Sequence, residues 1–170
     1  MNLEALKEFC WNDRLQHHGE FEPVLGEIQF PKNKALDTRV RKLPECSCVY
    51  LWLLVAQDKK FVVYLGKAKN LRSRTKDYVR GFQPYAPNDF KVQLFDWYVS
   101  TKLRLTEHSY ELLWHRYGED ELSSQETTWI RRLRPVLNEK AIRQQPDEQE
   151  RIAGIYRKHY AKILGLRLTQ

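Results

Sequence analysis

Two apolar runs separated by four polar residues constrain this chain more than any other feature. Residues 49–56 read Val-Tyr-Leu-Trp-Leu-Leu-Val-Ala, and residues 61–65 read Phe-Val-Val-Tyr-Leu after the link Gln57-Asp58-Lys59-Lys60. Short runs rich in β-branched and aromatic residues are strands, and strands without polar alternation are covered on both faces. The short polar link makes the pair an antiparallel hairpin. Parity sharpens the expectation. Tyr50 and Tyr64 lie an even number of positions apart, so they share a face if the link holds an odd number of residues, such as Gln57-Asp58-Lys59; a two-residue turn puts them on opposite faces.

The second run ends at Gly66, and a basic segment follows: Lys67-Ala68-Lys69-Asn70-Leu71-Arg72-Ser73-Arg74-Thr75-Lys76-Asp77-Tyr78. Asn70 is a helix start signal. A helix over about 71–79 sets Leu71, Arg74, Thr75 and Tyr78 on one stripe, so Arg74 and Tyr78 point the same way. A helix N-terminus ringed by Lys67, Lys69, Arg72 and Arg74 is an expected anion site by dipole and by charge. Taken alone, the fragment has an equally plain structural reading, since strand tyrosines commonly fill cores and lysines at helix ends are commonly solvated.

The rest of the chain supplies the context. Its 170 residues, 42% hydrophobic, suffice for one ordinary core. There is no secretory signal and no run long enough to cross a bilayer, so a cytoplasmic, non-secreted protein with no membrane partner is expected. The net charge of +7 favours a polyanionic partner. It is concentrated at 67–80, at 131–143 with Arg131, Arg132 and Arg134, and in a third group, Lys32, Lys34, Arg39, Arg41 and Lys42. Cys10, Cys46 and Cys48 make an odd count suited to reduced thiols, and Cys46-x-Cys48 lacks the second pair that zinc sites use.

In chain order, residues 2–16 have helical apolar spacing, and residues 19–44, punctuated by Gly and Pro, read as an irregular basic arm. Residues 90–99 alternate loosely and suggest a third strand. Residues 106–117 suggest a helix stopped by Gly118. Another helix starts at Ser123 or Ser124 and ends ahead of Pro135, with Trp129, Ile130 and Leu133 on its apolar face. Ser123-x-x-Glu126 fits a capping box, which is the structural alternative for Glu126. Residues 147–164 form an amphipathic helix that suits a core, a dimer seam or a DNA clamp. Trp97 and Trp114 are candidates for nucleic-acid contact, but core positions are commoner for tryptophan.

Taken together, Cys48-Val49-Tyr50, Tyr64-Leu65-Gly66, Asn70-Leu71-x-x-Arg74, and Glu126 followed by Pro135 and Asn138 resemble the GIY-YIG nuclease superfamily. The likeness is closest to the nuclease domain of the excision-repair subunit UvrC and its short relatives, and it spans about 44–140. Two departures stand out: Cys48 occupies the place of a glycine, and the gap between the first two motifs is longer. The resemblance implies an α+β fold with a small three-stranded antiparallel sheet flanked by helices. The core would occupy 44–140, with an N-terminal helix and arm at 1–43 and a C-terminal helical extension at 141–170. It implies a DNA endonuclease with a restriction, repair or recombination, or phage or mobile-element role, acting as a monomer or homodimer. Tyr50, Tyr64, Lys67, Arg74, Tyr78, Glu126 and Asn138 would form the site, with Glu126 holding one magnesium (Mg2+) or manganese (Mn2+) ion.

Phosphodiester hydrolysis needs an activated water, a stabiliser of transition-state charge, and help for the leaving oxygen. One carboxylate suits a hard cation that keeps most of its waters, and a guanidinium grips two phosphate oxygens as lysine does not. In this reading Tyr50 takes the proton from water, while Tyr64 and Lys67 orient water and phosphate and Tyr78 and Asn138 support them. Lys69, Arg72, Lys76, Arg131, Arg132 and Arg134 would follow the DNA backbone. The alternative is a nucleic-acid-binding module that keeps the fold without catalysis.

Overall fold

The computed structural model describes residues 19–30, 34–57, 59–79, 91–101, 104–135 and 137–138. The expected helices at 2–16 and 147–164 lie outside them. The described chain is α+β, as expected, but its antiparallel sheet has four strands, in the order β1-β4-β2-β3. In sequence order the elements are β1 (Glu22–Ile28), α1 (Lys34–Arg41), β2 (Cys48–Ala56), β3 (Lys59–Ala68), α2 (Leu71–Val79), α3 (Lys91–Thr101), β4 (Ser109–Arg116) and α4 (Leu122–Leu133).

The hairpin of β2 and β3 forms as the sequence requires, and β4 covers the other side of β2. Its turn corrects the parity argument. Ala56 pairs with Lys59, leaving a two-residue link in which Gln57 has a left-handed backbone, yet Tyr50 and Tyr64 still share a face. A bulge between Trp52/Tyr64 and Leu53/Val62 adds one residue to β3 and restores the parity that the short turn removes. Cys48 lies in paired strand, opposite Ala68 and Arg116, so the missing glycine of the first motif leaves no strained turn behind.

Two expected elements exchange type. Of the strand expected at 90–99, the described residues are helical: 91–101 are α3, whose buried Val92, Phe95 and Val99 follow a helical spacing hidden in the loose alternation. Residues 106–117 are not a helix: Tyr110 and Leu112 alternate with Leu113 across the two faces of β4, an interior strand paired on both sides. The arm at 19–44 includes regular elements too among its described residues. It supplies β1, where Pro23 is tolerated because β1 is an edge strand. It also supplies α1, where Arg39 donates to the Gly26 carbonyl.

The sheet separates two cores. On one face α2 and α3, with Val40 and Leu43, cover Cys48, Tyr50, Trp52, Leu54, Phe61 and Val63. On the other, α4 packs Leu122, Trp129 and Leu133 on Val49, Leu51, Leu53, Val62 and Leu65. α4 stops at Arg134, whose left-handed backbone donates to the Ile130 carbonyl, just ahead of Pro135 as expected. The chain then rounds the free edge of β3. Leu137 donates to the Val63 carbonyl at 3.0 Å and buries its side chain with the first core. This covers the edge strand that the sheet order leaves open.

Candidate active site

The strand hairpin and α2 bring four of the expected residues to one place. The hydroxyls of Tyr50 and Tyr78 share a hydrogen bond at 3.0 Å, Arg74 Nε donates to the Tyr50 hydroxyl at 3.2 Å, and Arg74 Nη2 donates to the Tyr78 hydroxyl at 3.3 Å. The guanidinium lies over the Tyr78 ring, 4.8 Å from its centroid. Tyr64 completes a triangle of rings, 6.3 Å from Tyr50 and 6.0 Å from Tyr78. The i, i+4 spacing of Arg74 and Tyr78 and the bulged register of β3 make this convergence possible.

Gly66 admits it. A Cβ there would meet the Tyr50 hydroxyl at 2.4 Å and its Cζ at 2.7 Å. Gly66 does not have a positive φ, so the requirement is space for the cross-strand phenol rather than backbone freedom. Burial raises the Tyr50 hydroxyl far above the ordinary tyrosine range, and the neighbouring Tyr64 phenol adds to the rise, against the smaller pull of Arg74. Tyr78 is also raised, first by burial and then by the phenols of Tyr50 and Tyr64. Tyr64 is half-buried, the most open of the three.

Lys67 and Glu126 form a separate pair. Strand alternation turns Lys67 towards α4, where its Nζ meets Glu126 Oε2 at 3.0 Å and Ser123 Oγ at 3.0 Å. No capping box forms at the start of α4. The helix begins one residue before Ser123, and Glu126 reaches Lys67 across the packing interface. Asn138 sits on the edge between the two groups. Its Oδ1 accepts from the Leu65 N–H at 2.9 Å, and its Nδ2 donates to the Leu65 carbonyl at 2.7 Å, so the side-chain amide stands in for a neighbouring strand.

The helix start at Asn70 forms as expected: its Oδ1 accepts from the Ser73 N–H at 2.9 Å. The anion cradle expected there is filled from within. Leu71 N–H donates to the Cys46 carbonyl and Arg72 N–H to the Pro44 carbonyl. The surrounding cations have internal partners too: Arg72 holds the Leu43 carbonyl and Glu45, and Lys69 meets Glu119 at 2.6 Å. Lys76, Arg131 and Arg132 are exposed, Arg132 lying over the Trp129 ring, and Arg134 is half-buried. Trp114 is partly buried against the first core.

Two contacts have no counterpart in the sequence motifs. Lys91 Nζ lies over the Tyr64 ring, 5.5 Å from the centroid, and Gln93 Nε2 donates to the Tyr78 carbonyl at 2.5 Å. Both come from α3, which reads as strand in sequence. Helical spacing of Val92, Phe95 and Val99 is the signal that points to it.

Among the described residues no three His, Cys, Asp or Glu side chains come together. The Glu126 carboxylate is 22% exposed, with Lys67 on one oxygen. That donor set suits a hard cation that completes its shell with water and substrate oxygens, as magnesium does, and not a soft or fully protein-coordinated metal. No helix among the described residues is long and apolar enough to cross a membrane. No protein-family model, curated protein or solved structure matches the chain.

Proposed function

We propose that the chain is a GIY-YIG-type, metal-dependent DNA endonuclease. The convergence of Tyr50, Tyr64, Tyr78 and Arg74 beside a glycine that must stay a glycine carries the reading. Three phenols and one guanidinium form a costly polar group in an apolar core. Phosphodiester hydrolysis uses both chemistries.

In the reaction, a water oxygen attacks phosphorus, its proton passes to a base, and the bond from phosphorus to the leaving oxygen breaks as that oxygen takes up a proton. A magnesium or manganese ion at Glu126 would supply Lewis-acid stabilisation of the charge on the phosphoryl oxygens. Arg74, fixed by two phenols, presents a planar charged donor to the same charge. The greater exposure of Tyr64 beside fully buried Tyr50 favours Tyr64 over Tyr50 for the base role. A phenol accepts a proton only once ionised, and the burial that raises Tyr50 works against its ionisation. Tyr50 and Tyr78 then act by holding Arg74, and Asn138 by fixing the end of β3.

One observation favours a second reading, a nucleic-acid-binding module without catalysis. Glu126 is held by Lys67 on the α4 side of the sheet, whereas Arg74 and the tyrosines lie on the other. Cleavage of supercoiled, single-stranded and branched DNA with magnesium, with EDTA, and with Glu126→Ala separates the two. The nuclease reading requires magnesium-dependent cutting that Glu126→Ala abolishes. Binding without cutting in both proteins would establish the binding module.

A further inference from the structure

We propose that Ser123 and Glu126, one turn apart at the start of α4, together form the cation site, and that Lys67 fills it as an internal ammonium that yields its place to a divalent ion. The inference rests on the nuclease reading for the metal. It deepens that reading by adding Ser123 as a second oxygen donor and Lys67 as a competitor.

The ammonium marks the place. Lys67 Nζ lies 3.0 Å from Glu126 Oε2 and 3.0 Å from Ser123 Oγ, so two oxygens of one helix converge on one positive charge. Their i, i+3 spacing puts them on the same face of α4. Packing fixes that face against the strand that carries Lys67. Leu122, beside Ser123, shares the second core with Trp129 and Leu133 of α4 and with Val62 and Leu65 of β3.

The donors suit the exchange. Carboxylate and hydroxyl oxygens are what a hard cation takes, with water completing its shell. The Ser123 hydroxyl has lone pairs to offer, and it already accepts from Lys67. Lys67 and Glu126 are 39% and 22% exposed, so solvent ions reach the pair. A solvent-exposed ion pair is worth little, and at equal distance a divalent ion attracts the carboxylate about twice as strongly as an ammonium does. The start of α4 is the positive end of its helix dipole and opposes any cation. Glu126 outweighs it for Lys67, so binding of a metal depends on the Glu126 charge and competes with the lysine.

The test is binding of Mn2+ to the full chain without DNA, read from the electron paramagnetic resonance of free Mn2+. It compares wild type, Glu126→Gln, Lys67→Met, Lys67→Arg, and Lys67→Met combined with Ser123→Ala. Circular dichroism checks that each is folded, and Lys67→Gln replaces Lys67→Met if the latter is not. Glu126→Gln is expected to lose the site. Lys67→Met, which removes the charge and keeps a long stem, is expected to bind about tenfold more tightly than wild type, and Lys67→Arg is not. Adding Ser123→Ala to Lys67→Met is expected to take back about threefold, which a role for Ser123 in holding the lysine would not explain.

If Glu126→Gln loses Mn2+ while Lys67→Met binds no more tightly than wild type, the competition is overturned and the metal at Glu126 stands. If Ser123→Ala changes nothing in the Lys67→Met protein, the two-oxygen site is overturned. Binding by Glu126→Gln equal to wild type, or no binding by either wild type or Lys67→Met, overturns both the inference and the metal assignment of the nuclease reading. Tighter binding by Lys67→Met in a chain that never cuts DNA in magnesium overturns the nuclease reading and supports the cation site.

Discussion

Replacing Gly66 by alanine tests the close approach of the Tyr50 hydroxyl to the β3 backbone. The added methyl carbon would sit 2.4 Å from that oxygen and 2.7 Å from Cζ, both inside contact distance. Tyr50 cannot simply move: it is 2% exposed, packed against Tyr78, and hydrogen-bonded to Tyr78 and Arg74. Overpacking of a filled core costs about 1–3 kcal/mol, and each hydrogen bond lost adds about 1 kcal/mol. The expected loss is about 2–4 kcal/mol, or roughly 5–15 °C in Tm at about 2–4 °C per kcal/mol for a chain of this size. Urea unfolding of Gly66→Ala beside wild type reads it directly. Tyr50→Phe in the same chain removes the closest contact but leaves Cζ, so the double mutant is expected to recover about 1 kcal/mol relative to additivity. A Gly66→Ala protein as stable as wild type within about 0.5 kcal/mol would refute the placement of Tyr50, and with it the geometry of the site.

Further outcomes follow from the same contacts. Tyr50 and Tyr78 have raised folded pKa values, so the unfolded chain ionises first. Stability is therefore level below the ordinary tyrosine pKa near 10 and falls as pH rises past it, by up to about 1.4 kcal/mol per pH unit per phenol, until the folded groups also ionise. Alkaline unfolding curves of wild type and Tyr50→Phe should differ by about one such increment. Asn138→Ala removes two part-buried bonds to Leu65 and should cost about 1–3 kcal/mol in chemical denaturation. Burial, with a smaller contribution from Cys46, pushes the Cys48 thiol up to about 12. In a Cys10→Ser, Cys46→Ser background at neutral pH, Cys48 should therefore resist iodoacetamide until the protein unfolds; rapid labelling of the folded protein would contradict its burial.

The legibility of this fold in its sequence depends on where the signals are local. The β2–β3 hairpin, the start of α2 at Asn70 and the end of α4 before Pro135 rest on apolar runs, a capping side chain and a proline, which act within a few residues. β4 and α3 were exchanged because their patterns are set by tertiary partners. Residues 109–116 become strand by lying between β1 and β2, and 91–101 become helix by burying Val92, Phe95 and Val99. The bulge in β3 is likewise invisible to parity counting, although it decides which face Tyr64 takes.

The site shows the same division. The i, i+4 relation of Arg74 and Tyr78 is local and was legible. The filling of the α2 N-terminus by the Pro44 and Cys46 carbonyls comes from a segment more than twenty residues earlier in the chain, and no spacing rule reveals it. The same holds for the separation of Lys67 from the phenols and for Lys91 over Tyr64.

The central claim is that two groups on opposite faces of the end of β3, Arg74 with its tyrosines and Glu126, act on one DNA phosphate. Single-turnover cleavage with magnesium, measured with DNA binding in EDTA for wild type, Arg74→Ala, Tyr64→Phe and Glu126→Gln, tests it most directly. The account predicts that wild type cuts, that each substitution slows cutting by at least about a hundredfold, and that Glu126→Gln and Tyr64→Phe retain DNA binding. A wild-type protein that binds DNA without cutting it, or cutting that survives either Arg74→Ala or Glu126→Gln at the wild-type rate, would contradict the account.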